Sequence, residues 1–288
     1  MGCEMPAITA GRFQGVCMSY SIFSETMADM TYQQIEKAAK QKLPILFPIA
    51  VIEEHGPHMC LGTDTYLTYN FCKKVRKGLL DMGFDCLIAP PYYWGINIAT
   101  NGFAGTFTVK PETMVSVLCD LFECLKSWGF ENIFLFNFHG DFRHNFTILN
   151  AAKKAYEELG IGAYFIVPDF FLRRAGLSGK EPYVIAQPTK PETPSEYLDL
   201  HAGGFETSLM VNDFPELVDV DLARSLKSSL TTFQDLKIWQ HGGEKAREIT
   251  PLGYCGNPSA IDLEAAKAFE EEMIENVSKI ICDFLRGK

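Results

Sequence analysis

Short apolar runs alternate with amphipathic stretches along most of this chain. Residues 45–52 are continuous, rich in β-branched side chains and bounded by turn formers, which predicts a strand buried on both faces of a mostly parallel sheet. Residues 86–91, 133–137 and 163–167 read as further strands of the same kind. Between them the spacing predicts helices. One runs from Thr31 to about residue 42, and another over 65–82 carries Leu67, Phe71, Val75, Leu79 and Met82 on one face. A third over 111–128 is opened by Pro111 and closed by Gly129, and a fourth covers 143–159. Helical spacing returns at 222–230 and in a long closing helix from Asp262 to residue 285, capped near Gly287. This alternation predicts an α/β fold, a single-domain three-layer α/β/α sandwich with a mostly parallel central sheet. There is no repeat and no linker. Residues 1–17 lack a period and read as an N-terminal extension to a domain of residues 18–288. Residues 174–199 are also aperiodic, as suits either an exposed connection or a lid.

Three polar clusters stand out, two of them directly after apolar runs. Glu53 and His55 leave the end of the first strand two residues apart, so they face one point while Glu54 faces away. Gly56-Pro57 turns the chain, and Asp64 returns to that point before the next helix. Carboxylate, imidazole and carboxylate converging there suit a divalent zinc, manganese or iron ion. His139 and Asp141 repeat the same spacing after the strand at 133–137. In a parallel sheet, ligands collect at the carboxyl ends of the strands, where both clusters fall. The third cluster holds His201 and Glu206 around small residues that let backbone approach a ligand.

Composition narrows the class without naming a substrate. Apolar residues at 47% and charged ones at 22% describe a globular chain with a substantial core, not a disordered one. No segment approaches a membrane span or a secretion signal, and the nine cysteines show no C-x-x-C spacing; both point to reduced thiols and a cytoplasmic protein. A net charge of −10 argues against nucleic acid or an anionic membrane as partner and leaves a small-molecule substrate.

Glu53-x-His55-Gly56-Pro57-His58-x-x-Leu61-Gly62-Thr63-Asp64 is similar to the most diagnostic motif of the creatininase family of metal-dependent amidohydrolases. Asn137-x-His139, His201-Ala202-Gly203-x-x-Glu206-Thr207-Ser208, Phe103-x-Gly105-Thr106 and Gly253-x-x-Gly256-Asn257-Pro258 resemble other motifs of that family, in its order, over roughly residues 20–285. The resemblance implies one or two zinc or manganese ions per chain. One is held by Glu53, Asp64 and His139, the second by His55, a bridging Asp64 and Asp141. It implies His201 as the catalytic histidine and leaves Glu206 as a ligand, a base or a partner that orients an imidazole. It also implies a homo-oligomer, often a hexamer. Thr100 stands where many members carry a histidine, Ala104 replaces a proline, and Tyr197 takes the place of a tryptophan in the creatinine-hydrolysing members, departures that argue against creatinine itself. Tyr197 and Tyr183, with Lys180 and Lys190, are the weaker candidates for substrate contact. The reading is a metal-activated water attacking a small cyclic or linear amide. The alternatives are hydrolysis of a carbon–carbon bond in an oxidised cyclic polyol of keto-inositol type, and a non-catalytic metal-binding scaffold.

Overall fold

The structure is a computed structural model that describes residues 23–189 and 197–287; the extension expected over residues 1–17 lies outside them, as does Lys190. Strands β1 (Ile45–Pro48), β2 (Leu87–Ile88), β3 (Asn132–Phe136), β4 (Gly162–Pro168) and β5 (Val184–Gln187) form a sheet in the order β2-β1-β3-β4-β5. Every pairing in it is parallel. The helices are α1 (Tyr32–Lys40), α2 (Thr63–Asp81), α3 (Pro111–Trp128), α4 (Phe142–Lys154), α5 (Asp169–Arg174), α6 (Gly204–Asp213), α7 (Val220–Ser225), α8 (Phe233–Trp239), α9 (Gly243–Ile249) and α10 (Leu263–Arg286).

The pleat sorts the strand side chains into two cores. Ile133 and Leu135 of β3 join Met114, Leu118 and Phe122 of α3 and Ile148 of α4, whereas Phe134 and Phe136 join Phe71, Val75 and Leu79 of α2 and Ile281 of α10. Continuous apolar strands are what a sheet covered on both faces requires, and the result is the expected three-layer sandwich. A third cluster, with Met59, Leu209, Met210 and Tyr254, backs the loops at the end of β1.

The boundaries expected from spacing hold for the helix at 111–128, where Pro111 and Gly129 punctuate the sequence. Others move. The second helix starts at Thr63 rather than 65, so Asp64 sits inside its first turn, and the fourth ends in a wider π turn over Ala155–Leu159. The helix expected over 222–230 stops at Ser225. Beyond it the backbone is drawn out by pairing elsewhere: Ser229 N–H bonds to the Gly256 carbonyl and Leu198 N–H to the Thr231 carbonyl. Within the aperiodic stretch at 174–199 lies the edge strand β5.

The chain leaves β1 for β2 on one side and returns past it to β3 on the other. The strand order therefore reverses between β1 and β3, and a crevice opens there at their carboxyl ends.

Candidate metal centre

Beyond Pro48 the first strand stays between its neighbours, with Ile49 N–H on the Phe136 carbonyl and Ala50 N–H on the Tyr92 carbonyl, both at 2.8 Å. The chain then turns into the crevice. Gly56 takes φ of +65°, a left-handed conformation open to glycine, and Glu53 N–H closes the loop onto the Leu61 carbonyl at 3.0 Å. Glu53, Glu54, His55 and Asp64 are all buried. The Asp64 carboxylate lies in the first turn of α2, where unpaired N–H groups favour negative charge.

Three imidazoles point into this space in the same manner. His139 Nε2 donates to the Ile96 carbonyl at 3.1 Å, His55 Nδ1 to the Glu53 carbonyl at 3.1 Å, and His201 Nε2 to the Glu54 carbonyl at 2.8 Å. Each ring thereby turns its other nitrogen toward the carboxylates, the arrangement that fixes the tautomer of a metal-binding histidine. His139 Nδ1 lies 2.8 Å from Glu53 Oε1 and 3.2 Å from Asp64 Oδ2, while His55 Nε2 lies 3.7 Å from Asp64 Oδ1. His201 Nδ1 is 3.9 Å from Glu53 Oε1. Glu206, half-buried on α6, reaches the same cluster, so that His55, Asp64 and Glu206 offer ligand atoms within 4.8 Å of one another, as do Glu53, Asp64 and His139, and Glu53, His55 and His201.

The electrostatics are those of a place built for positive charge. Burial would push the His55 imidazole down, but Asp64, Glu206 and Glu53 prevail and hold it up at about 10. Burial is likewise overcome at His139, which Glu53 and Asp64 raise well above the usual range, and at Asp64, which His55 and His139 hold well below it. At Glu206 burial wins and the carboxyl is raised. Glu53 Oε1, His55 Nε2 and Asp64 Oδ2 are buried atoms without a properly aligned hydrogen bond among the described residues. Unsatisfied buried acceptors facing one another are costly unless a cation joins them, and carboxylate with imidazole is a donor set for zinc or manganese. The residues fit such an ion.

Asp141 is in none of these groups of ligand atoms. Asp141 is the N-cap of α4: its Oδ1 accepts from Arg143 N–H at 2.7 Å and His144 N–H at 3.1 Å, and its Oδ2 from Ile98 N–H at 3.0 Å. Tyr183 is buried in the core beside Tyr156, and Tyr197 is 38% exposed. Three residues at the cluster escaped the spacing argument. Glu54 does not face away; its Oε1 lies 3.4 Å from His201 Nε2. Thr100 Oγ1 donates to Glu53 Oε2. Trp239 sets its ring 6.1 Å from that of His201, its indole N–H held by Thr250 Oγ1 at 2.9 Å. A doubled glutamate before His-Gly-Pro could have drawn attention to Glu54; the other two are brought in from distant segments and leave no local signal.

A parallel sandwich with carboxylates and imidazoles gathered where its strand order reverses is the architecture of a metal-dependent hydrolase. The Creatininase family model, described as creatinine amidohydrolase, matches residues 28–281, and the chain belongs to the creatininase family, whose members are metal-dependent hydrolases. It is 29% identical over 217 residues to the creatinine amidohydrolase of Pseudomonas putida, covering 71% of this chain and 76% of that protein. It is 27% identical to the mycofactocin precursor peptide peptidase of Mycobacterium ulcerans, covering 82% and 84% respectively. With the 3-dehydro-scyllo-inosose hydrolase of Thermotoga maritima it shares 26% identity over 89% of this chain and 82% of that one. Among solved structures, one described as Creatininase Mn superposes with a TM-score of 0.67 at 20% identity over 90% of this chain and 98% of that chain, a likeness of fold. A mutant creatininase described as Zn-Zn type superposes equally, with a TM-score of 0.67 at 21% identity over the same shares of the two chains.

Proposed function

We propose that this chain hydrolyses a small cyclic or linear amide at the centre formed by Glu53, His55, Asp64 and His139, with His201 handling the proton. What carries the reading is the common orientation of the three imidazoles, each tied by one nitrogen to a backbone carbonyl and presenting the other to buried carboxylates. A divalent ion held there, zinc or manganese, supplies a Lewis acid for the scissile carbonyl and brings the pKa of a water toward neutrality. The chain does the rest. His201 keeps its Nε2 hydrogen on the Glu54 carbonyl, so the position free to exchange a proton is Nδ1. At 3.9 Å from Glu53 Oε1, Nδ1 is beyond hydrogen-bond distance of that carboxylate and free to serve the substrate. A proton held at Nδ1 passes to the amide nitrogen as the C–N bond breaks, without which the amine is a poor leaving group. The Glu54 carboxylate behind Nε2 favours the charged imidazole, and the Trp239 ring lies 6.1 Å from that of His201.

Two of the relatives bear the names of enzymes acting on amide or peptide bonds, which supports the amide. Creatinine is disfavoured as the substrate, because Tyr197 stands where the creatinine-hydrolysing members carry a tryptophan; the aromatic ring beside His201 here is Trp239. The inosose hydrolase among the relatives favours a second reading, cleavage of a carbon–carbon bond in an oxidised cyclic polyol by the same centre. The test is protein reconstituted with Mn(II) or Zn(II) and assayed by mass spectrometry against creatinine, formylated amines, short peptides and keto-inositols. Turnover of an amide is expected, with His201→Asn lowering kcat by about 10²–10⁴-fold while metal content persists. Turnover of keto-inositols and of no amide would establish the second reading.

A further inference from the structure

The family resemblance assigns the last carboxylate of the second metal position to Asp141, but Asp141 is otherwise engaged. Its two oxygens accept three backbone N–H groups, two from the start of α4 and one from Ile98. Turning it toward His55 would strip all three. His55 is left with a fully buried Nε2 that has no hydrogen-bond partner among the described residues and faces Asp64 Oδ1. A Glu206 carboxylate oxygen lies in the same group of ligand atoms, within 4.8 Å of those of His55 and Asp64. Glu206 Oε2 accepts from Ala202 N–H at 2.5 Å, a bond that fixes the carboxylate beside His55 and Asp64. Ala202 holds φ of +49°, left-handed for a residue other than glycine, and in that conformation its N–H meets Glu206.

Resting on the metal centre proposed above and on the second ion that the family resemblance implies, we propose that Glu206, not Asp141, completes the second metal position with His55 and Asp64. Asp64 is disposed as the bridge: Oδ1 faces His55, and Oδ2 lies 3.2 Å from His139 on the side of Glu53. The first position is then Glu53, Asp64 and His139, and the second His55, Asp64 and Glu206. Moving the carboxylate from the loop after β3 to α6 places a ligand five residues beyond His201 in the same segment, so filling the second position also fixes the backbone that carries His201.

The experiment is elemental analysis and electron paramagnetic resonance of the full chain and its E206Q and D141N variants, each stripped, reloaded with Mn(II) and freed of excess metal by gel filtration. The parent should hold about two equivalents with the spectrum of a spin-coupled pair. E206Q, whose amide oxygen can still accept from Ala202, should fall to about one equivalent with the six-line spectrum of isolated Mn(II). D141N should keep about two equivalents and lose only thermal stability, as expected of a weakened helix cap. Two equivalents in E206Q, loss of both from a folded E206Q, or one equivalent in D141N would overturn the assignment. The D141N result decides it even where E206Q does not fold. No metal in the parent would instead sink the dinuclear reading itself.

Discussion

Replacing Thr100 by valine keeps the outline of the side chain and removes one hydroxyl, and that hydroxyl is the group that holds Glu53 Oε2. Both residues are buried, so no solvent takes its place. A hydrogen bond to a charged acceptor is worth about 1.5–3 kcal/mol, and more of the loss is felt when the acceptor stays buried and unpaired. Glu53 faces His139 with its other oxygen, so the loss falls on a carboxylate that would bind the metal. Substitutions that release a ligand's hydrogen-bond partner lower metal affinity by roughly 10–100-fold, or about 1.4–2.7 kcal/mol, which agrees with the hydrogen-bond figure. The assay is calorimetric titration of metal-free T100V with Mn(II), beside T100S, which restores the hydroxyl. T100V should bind about 10–100-fold more weakly and T100S nearly as the parent. Parent-like affinity in T100V, or an equal loss in T100S, would show that the hydroxyl does not set the ligand and would refute the reasoning.

Gly253 has φ of +83°, and a Cβ there would stand 1.9 Å from Glu54 Oε2, so G253A should lower stability by about 1–3 kcal/mol in urea unfolding; an unchanged midpoint would remove Glu54 from its place behind His201. His58 is buried with its Nε2 on Thr207 Oγ1, and burial, then the neighbouring His55 and His201, depress its imidazole from 6.5 to about 4. The unfolded chain therefore takes up a proton that the folded one refuses, and the stability this neutral ring contributes is lost as pH falls through that window. Unfolding free energies should drop about 2 kcal/mol more for the parent than for H58N between about pH 7 and about pH 5, and parallel profiles would exclude the effect.

Where the sequence carried a local physical cause, the structure could be read from it. Pro111 and Gly129 bracket a helix, and β-branched runs marked β1, β3 and β4. The two-residue spacing brought Glu53 and His55 to one point. The same rule failed at Glu54, because the chain beyond Pro48 leaves the pleated pattern as it enters the crevice; at Asp141 it leaves two roles open. Spacing cannot distinguish a ligand from a helix cap, although an aspartate directly before a helical run is the usual cap. The edge strand β5 hides in a stretch with too few apolar positions to show a period, and Tyr183 before it packs inward. Trp239 belongs to a short helix whose relation to His201 is set entirely by tertiary packing.

Trp239 bears on which bond this centre would accept, a question raised by relatives whose names denote different bonds. The groups that face the crevice come from the β1 loop, α2, the end of β3 and the segment leading into α6, all anchored in the sandwich or its third core. The outer wall is tied on by polar contacts, among them the Arg174 guanidinium of α5 on Gln240 Oε1 at 3.1 Å. Helices α8 and α9 join the rest through Gly243 N–H on Asn101 Oδ1 at 2.8 Å and the Arg247 guanidinium on the Gly102 carbonyl at 3.1 Å. That clamp seizes the loop that carries Thr100, and Thr100 in turn holds Glu53. A change in the hairpin of residues 233–249 would thus alter two things together: the aromatic face presented beside His201 and the support of a carboxylate in the centre. Substitutions that retune the wall for a different substrate are therefore expected to shift Mn(II) affinity as well, and compensating changes should be sought at residues 98–103.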